Sequence, residues 1–186
     1  MTAGLVLAIA LLGLAPAIAY PDVKAGERKA QLCLLCHKPN NPAAYLPTLE
    51  GQTREYLYNQ VRAYRDKRRP DHIMQTNVAS LSDADIRDIA EFFASRRPLR
   101  ASFTLDPRKV AAGRSKAAAL KCGACHRPDF SGEKEVPRLA GLDPRYGAVQ
   151  IVAFVSGARP HPHVQGMRDI STDDAGHLAQ FFAHLE

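Results

Sequence analysis

The feature that most restricts this chain is a pair of C-x-x-C-H motifs, because together they use all four of its cysteines. One runs from Cys33 to His37 and the other from Cys122 to His126. This spacing is the attachment signature of c-type haem. Two thiols one helical turn apart can each add to a vinyl group of the same porphyrin, and the adjacent histidine then supplies the proximal nitrogen to the iron. The sequence therefore predicts two covalently bound c-type haems.

Two other uses of the cysteines compete with haem attachment. A zinc site made of four cysteines needs all four thiolates at one point, and a thioredoxin-like C-x-x-C needs a βαβ unit. Two complete motifs with no cysteine left over favour haem. The predicted attachment residues are Cys33, Cys36, Cys122 and Cys125, and the predicted proximal ligands are His37 and His126.

The first nineteen residues contain no charged side chain and read as an export signal. An apolar run from Leu5 to Leu14 precedes the small-x-small site Ala17-Ile18-Ala19. We expect cleavage after Ala19, which places the mature protein in the periplasm. The segment begins without Lys or Arg, so an uncleaved anchor that keeps the protein at the membrane surface is the alternative.

An internal repeat divides the rest of the chain. The two C-x-x-C-H motifs coincide at an offset of 89 residues, and a run of identities follows at an offset of 90. The first members of these identical pairs are Pro47, Leu49, Gly51, Tyr56, Gln60, Ala63, Arg69 and Pro70, and the second are Pro137, Leu139, Gly141, Tyr146, Gln150, Ala153, Arg159 and Pro160. We predict a signal peptide over 1–19, one cytochrome c domain over 20–100 and a second over 101–186. The seam is the basic, proline-containing stretch 96–102.

Each half reads as short helices, which predicts an all-α fold. Helices are expected to begin near Val23, near Thr53 and at Ser82, where Asp85 completes a capping box. In the second half, Asp106-Pro107 and Asp143-Pro144 are N-cap and first-turn proline pairs. No stretch shows strand alternation.

Each half has one methionine that can supply the sixth iron ligand, Met74 and Met167. A thioether ligand raises the haem potential, which suits an electron carrier. Met74 follows a basic loop and precedes the capped last helix. Met167 lies only four residues before Ser171, whereas Met74 lies eight before Ser82, so the run His161-Pro162-His163 offers a rival nitrogen ligand. His163 is the alternative to Met167.

Positive charge is densest over 62–69, although the net charge of the whole chain is only +6. Without a larger basic patch, no nucleic-acid partner is expected. The stretch is either a solvated helix end, a docking face for an acidic partner, or a clamp for haem propionates. Because Arg69 and Arg159 occupy matching positions in the repeat, a propionate role for both is the hypothesis we favour.

The run 56–65, then Met74, then 81–93 resembles the dihaem cytochrome c4 family of class I cytochromes c. The resemblance covers almost the whole mature chain. It implies two tandem cytochrome c domains related by pseudo-twofold symmetry, with haem propionates close together at their contact, and it implies Met74 and Met167 as distal ligands. The haem subunit of flavocytochrome c sulfide dehydrogenase is also similar, which adds a flavoprotein to the expected partners.

The resulting prediction is a periplasmic dihaem cytochrome that is not itself an enzyme. It would carry electrons to a terminal oxidase or reductase, or between a dehydrogenase and the respiratory chain. One alternative is an electron-transfer subunit of a larger oxidoreductase, such as a flavoprotein sulfide dehydrogenase. The other is a dihaem enzyme whose second iron keeps an open position.

Overall fold

The computed structural model describes residues 20–38, 46–99, 102–162 and 164–185. The predicted signal segment, the predicted domain boundary at 100 and 101, and His163 lie outside these ranges. Within them, none of the helices is both long and apolar enough to cross a bilayer.

Two successive sets of helices make up the described chain. The first set is α1 Val23–Lys29, α2 Gln31–Cys36, α3 Arg54–Arg65, α4 His72–Val78 and α5 Asp83–Ala94. The second set is α6 Pro107–Ala119, α7 Gly123–His126, α8 Pro144–Val155, a short 3-10 helix Val164–Met167, and α9 Thr172–His184. The described residues form no strand, only an isolated bridge between Glu133 and Val136. The all-α prediction is confirmed.

Side-chain caps start these helices where the sequence predicts. The Asp106 and Asp143 carboxylates each accept a hydrogen bond of 2.8 Å from a first-turn backbone N–H. Ser82 and Ser171 both form complete capping boxes. The helix predicted from Val23 into the first haem motif is instead two helices, α1 and α2, which meet at Ala30.

Each half has its own apolar core, and the last helix of that half is its centre. α5 packs against α1 and α3, and α9 packs against α6 and α8. Buried aromatic side chains of these two helices anchor the cores, with Phe92 and Phe93 in the first and Phe181 and Phe182 in the second. Burying such side chains contributes about 1.5–3 kcal/mol each.

Two glycines allow the helix crossings to be this close. A Cβ atom on Gly26 would overlap the backbone carbonyl of Asp88 on α5, and one on Gly113 would overlap that of His177 on α9. The same contact recurs in both halves, which is the structural form of the sequence repeat.

The halves differ in the segment before their last helix. In the first half, the Asp71 side chain accepts a hydrogen bond of 2.9 Å from the backbone N–H of Met74 and caps α4, which packs on α3. At the corresponding place the second half has only the 3-10 helix Val164–Met167, which packs on α8. This segment follows His161-Pro162, and here the second half departs from the pattern of the first.

Candidate haem sites and the contact between the halves

The proximal histidine of the first half is held in one orientation. His37 follows the last residue of α2, is buried, and has its Nδ1 2.8 Å from the backbone oxygen of Pro47. Because a carbonyl only accepts, Nδ1 carries the proton and Nε2 is left as a lone-pair donor. Burial lowers the pKa of His37, and the ring therefore stays neutral, the form that binds a metal.

The second half repeats this arrangement. His126 ends α7, and its Nδ1 lies 2.9 Å from the backbone oxygen of Pro137. Burial lowers the pKa of His126 as well. Pro47 and Pro137 are one of the identical pairs of the repeat, and the backbone carbonyl at this position fixes the ring of a metal-binding histidine in both halves.

The two cysteines of each motif differ in solvent exposure. Cys33 and Cys122 are half-buried, whereas Cys36 and Cys125 are exposed. Burial raises the pKa of the Cys33 and Cys122 thiols. In the described part of the chain, no three Cys, His, Asp or Glu side chains gather as a metal cluster, so the four-cysteine zinc alternative lacks its geometry. Two thiols one turn apart beside a neutral, oriented histidine fit a c-type haem in both halves.

Met74 is half-buried in the first turn of α4. Its cap, Asp71, accepts a hydrogen bond of 2.9 Å from the backbone N–H of Met74. Met74 is therefore held at the start of a capped helix.

The second half presents more than one candidate on that side. Met167 ends the 3-10 helix, is half-buried, and packs against the apolar core of its own half. His163 lies outside the described residues. The ring of His161 lies 6.3 Å from the ring of His126, centre to centre, and 5.0 Å from the ring of Phe154.

Two buried arginines join the halves. The Arg69 guanidinium donates to Gln60 at 2.8 Å, to Tyr146 at 3.1 Å and to Gln150 at 2.8 Å. The Arg159 guanidinium donates in the mirrored pattern, to Gln150 at 2.6 Å, to Tyr56 at 2.7 Å and to Gln60 at 3.0 Å. Each arginine thus holds a glutamine of its own half and reaches a tyrosine and a glutamine across the contact.

This cross-connected set, which we call the arginine bridge, consists of Arg69, Arg159, Gln60, Gln150, Tyr56 and Tyr146. Both arginines are only 8% exposed. Within the described ranges, the partners of both guanidiniums are neutral amides and phenols, and burial raises the pKa of Tyr56. Two buried positive charges therefore lie together without a carboxylate from the bridge itself.

A second contact between the halves joins Gln52 and Arg138. The Gln52 side chain donates to the backbone oxygen of Arg138 at 3.0 Å and accepts from its backbone N–H at 2.7 Å. A two-point contact of this kind fixes the rotation of one half relative to the other.

Other arginines of the basic stretch over 62–69 pair with neighbouring carboxylates. Arg65 pairs with Asp83 at 2.7 Å and with Asp66 at 2.9 Å, and Arg68 pairs with Asp66 at 3.2 Å. Arg69, in contrast, is buried, so its guanidinium does not lie on an exposed docking face.

Comparison with known proteins places this arrangement among dihaem cytochromes. No family model matches the chain. Cytochrome c4 of Pseudomonas aeruginosa is 35% identical over 166 residues, covering 83% of this chain and 81% of the relative. The thiosulfate dehydrogenase electron acceptor of Thiomonas intermedia is 30% identical over 167 residues, covering 83% and 76%. The crystal structure of reduced cytochrome c4 from Pseudomonas stutzeri matches with a TM-score of 0.80 at 26% identity, covering 89% of this chain and 100% of that one.

Proposed function

This chain belongs to the cytochrome c4 family, and from that membership we propose that it carries electrons between redox proteins of the periplasm. It is a dihaem electron-transfer cytochrome with two tandem all-α domains. The haem iron supplies reversible uptake of one electron at each site. The protein's own residues attach, orient and shield the two groups, and connect them.

The attachment and proximal residues follow from the two matched sites. Cys33 and Cys36 hold the first haem, and the corresponding pair in the second motif, Cys122 and Cys125, holds the second. His37 and His126 supply the proximal nitrogens. The observation that carries this assignment is the same Nδ1-to-proline hydrogen bond in both halves, at 2.8 and 2.9 Å. It leaves Nε2 of each ring as the metal donor.

Met74 supplies the sixth ligand of the first iron. Its support is the capped helix α4, in which the Asp71 side chain accepts a hydrogen bond from the backbone N–H of Met74. A thioether ligand at that iron would favour the ferrous state and raise the potential. Met167, with His163 as its rival, stays a prediction from the sequence for the second iron.

The arginine bridge binds haem propionates from both halves. A buried guanidinium without a counter-charge costs several kcal/mol, and this contact holds two of them. The propionates bring carboxylates that the bridge residues lack. Because Arg69 and Arg159 each contact side chains of both halves, they tie the two haem environments to one another and keep the groups close enough for electron exchange.

Donor and acceptor belong to the classes that the sequence predicts. After cleavage at Ala19 the carrier would deliver electrons to a terminal oxidase or reductase, or take them from a dehydrogenase or flavoprotein. A second role, electron acceptor within an oxidoreductase complex, is favoured by the relatives named thiosulfate dehydrogenase electron acceptor. Stable co-purification with a dehydrogenase, rather than a salt-sensitive encounter, would favour this second role.

A spectroelectrochemical titration of the purified holoprotein tests the proposal. Two reversible one-electron steps per chain are expected. Arg69→Gln and Arg159→Gln should each lower both potentials, because loss of a nearby positive charge stabilises the oxidised iron. Arg68→Gln, on a side chain 60% exposed, is the matched control and should change neither. Fewer than two reversible steps would contradict the carrier, and unchanged potentials in both bridge variants would remove the propionate role.

A further inference from the structure

We infer that the imidazole of His161 is the sixth ligand of the second haem iron. This rests on the proposed function in one respect, since it takes a haem at Cys122–His126 as given. It departs from the sequence-based prediction, in which Met167 or His163 fills that position, and it makes the two irons chemically different.

The separation of the two rings fits a shared metal. A metal held by an imidazole lies about 2 Å from the donor nitrogen, and that nitrogen lies about 1 Å from the ring centre. Two imidazoles on opposite sides of one metal therefore have centres about 6 Å apart. The rings of His126 and His161 are 6.3 Å apart, with planes 26° from parallel. Aromatic rings in ordinary contact have centres about 4.5–7 Å apart, so this separation allows a shared metal, and the place of His161 in the repeat supplies the second reason to assign one.

His161 occupies the loop position that in the first half stands next to the predicted distal ligand. At the repeat offset of 90 residues, the counterpart of His161 is Asp71. Asp71 caps α4 by accepting a hydrogen bond of 2.9 Å from the backbone N–H of Met74. In the second half, the same position holds an imidazole whose ring centre lies 6.3 Å from that of His126.

The replacement also explains why the halves diverge. Asp71 caps α4 by accepting from the backbone N–H of Met74, and so it holds that methionine in a helical turn. Histidine is not among the preferred N-cap residues, and it is followed directly by Pro162. The second half accordingly has a short 3-10 helix where the first has α4. The element that presents the methionine is lost together with its cap.

Neighbouring side chains keep His161 in place. Its ring meets the edge of Phe154 at 5.0 Å, and the Arg159 guanidinium lies over that same phenyl ring at 4.6 Å. The orientation of His161 is thereby connected to the arginine bridge. Met167, in contrast, packs against the apolar core of its half, the ordinary place of a methionine that fills space.

Two nitrogen ligands lower the potential of an iron relative to a nitrogen and a thioether. The first electron should therefore reside on the haem of the first half. The second haem would then be the stronger reductant of the two, which gives the internal exchange a direction.

The test counts methionine ligands in the oxidised holoprotein through the sulfur-to-iron charge-transfer band at the red edge of the visible spectrum. The wild type should show the intensity of one methionine-ligated haem per chain. Met74→Leu should abolish the band, and Met167→Leu should leave it unchanged. A band of twice that intensity, halved by Met167→Leu, would overturn the inference without any change at His161.

A second measurement addresses His161 itself. His161→Ala should open the reduced second haem to one carbon monoxide per chain, while His163→Ala and the exposed control His184→Ala should bind none. If His161→Ala does not yield haem-loaded protein, His161→Met replaces it as the test. A new methionine ligand should double the intensity of the sulfur-to-iron charge-transfer band. Binding in His163→Ala but not in His161→Ala would assign the ligand to His163. Redox titration of the same samples distinguishes the His161 ligand from the electron-carrier function. Two reversible one-electron steps together with a Met167 ligand would refute the His161 ligand but not the carrier function.

Discussion

The substitution Gly113→Ala tests how tightly the second half is assembled. Gly113 lies on α6 where that helix crosses α9. An added Cβ would overlap the backbone carbonyl of His177 and lie 2.8 Å from the Cβ of Phe181. Neither neighbour is the end of a flexible side chain, so the helices themselves must separate. Because these two helices enclose the core of the second half, the whole half should lose stability.

The size of the loss follows from two opposing effects. Forcing an extra carbon into a packed contact costs about 1–3 kcal/mol, and more where backbone must move. Alanine in place of glycine within a helix recovers about 1 kcal/mol. We expect a net loss of about 2 kcal/mol from the free energy of unfolding. For a half of this size, that lowers the unfolding midpoint by roughly 8–16 °C.

The matched control is Gly176→Ala on α9, where an added Cβ meets no atom within 4 Å. The same change there should stabilise by about 1 kcal/mol. Thermal unfolding of the haem-loaded variants, followed by circular dichroism and haem absorbance at equal haem content, compares the two. If Gly113→Ala is as stable as Gly176→Ala, the close crossing of α6 and α9 is wrong.

Three further outcomes are expected. Hydrogen bonds from Lys29 and Ser82 lower the pKa of Asp85 from its ordinary 3.8 to about 2. The stability this gives is present above pH 4 and lost as the pH falls toward 2. Denaturant titrations across that range should therefore show a smaller decline in the free energy of unfolding for Asp85→Asn than for the wild type. Ser171→Ala removes the capping box of α9 and should cost about 1 kcal/mol in denaturant unfolding, whereas Ser171→Thr should retain most of the cap, and equal losses in the two variants would contradict a capping role. Met74→Leu should open the first iron to carbon monoxide and lower its potential, and an unchanged potential would place the ligand elsewhere.

Short-range patterns in the sequence were sufficient to predict the cofactors and the residues at which the main helices begin. A C-x-x-C-H motif, an N-cap with proline after it, and a capping box each act over a few residues, so their structural meaning does not depend on the rest of the fold. Residues that are identical in the two halves turn out to have structural roles that the alignment did not indicate. The backbone carbonyls of Pro47 and Pro137 orient the proximal rings. Tyr56, Gln60 and Arg69, together with their counterparts in the second half, form the contact between the halves.

The parts that sequence reasoning missed are long-range. Nothing in the order of residues indicates that Arg69 reaches Tyr146 and Gln150, because that pairing depends on how two folded halves dock. The position of His161 was missed for a related reason. Its nearness to His126 accompanies the replacement of α4 by a 3-10 helix. The spacing before the last helix had instead singled out His163 from the run His161-Pro162-His163.

Carbon monoxide binding to the fully reduced, purified holoprotein tests most directly whether this protein only carries electrons. Two six-coordinate irons, each closed by a side chain of its own half, predict no binding at either haem. Binding at one or both haems of the wild-type protein would show an open iron, and the molecule would then have to be treated as an enzyme rather than as a carrier.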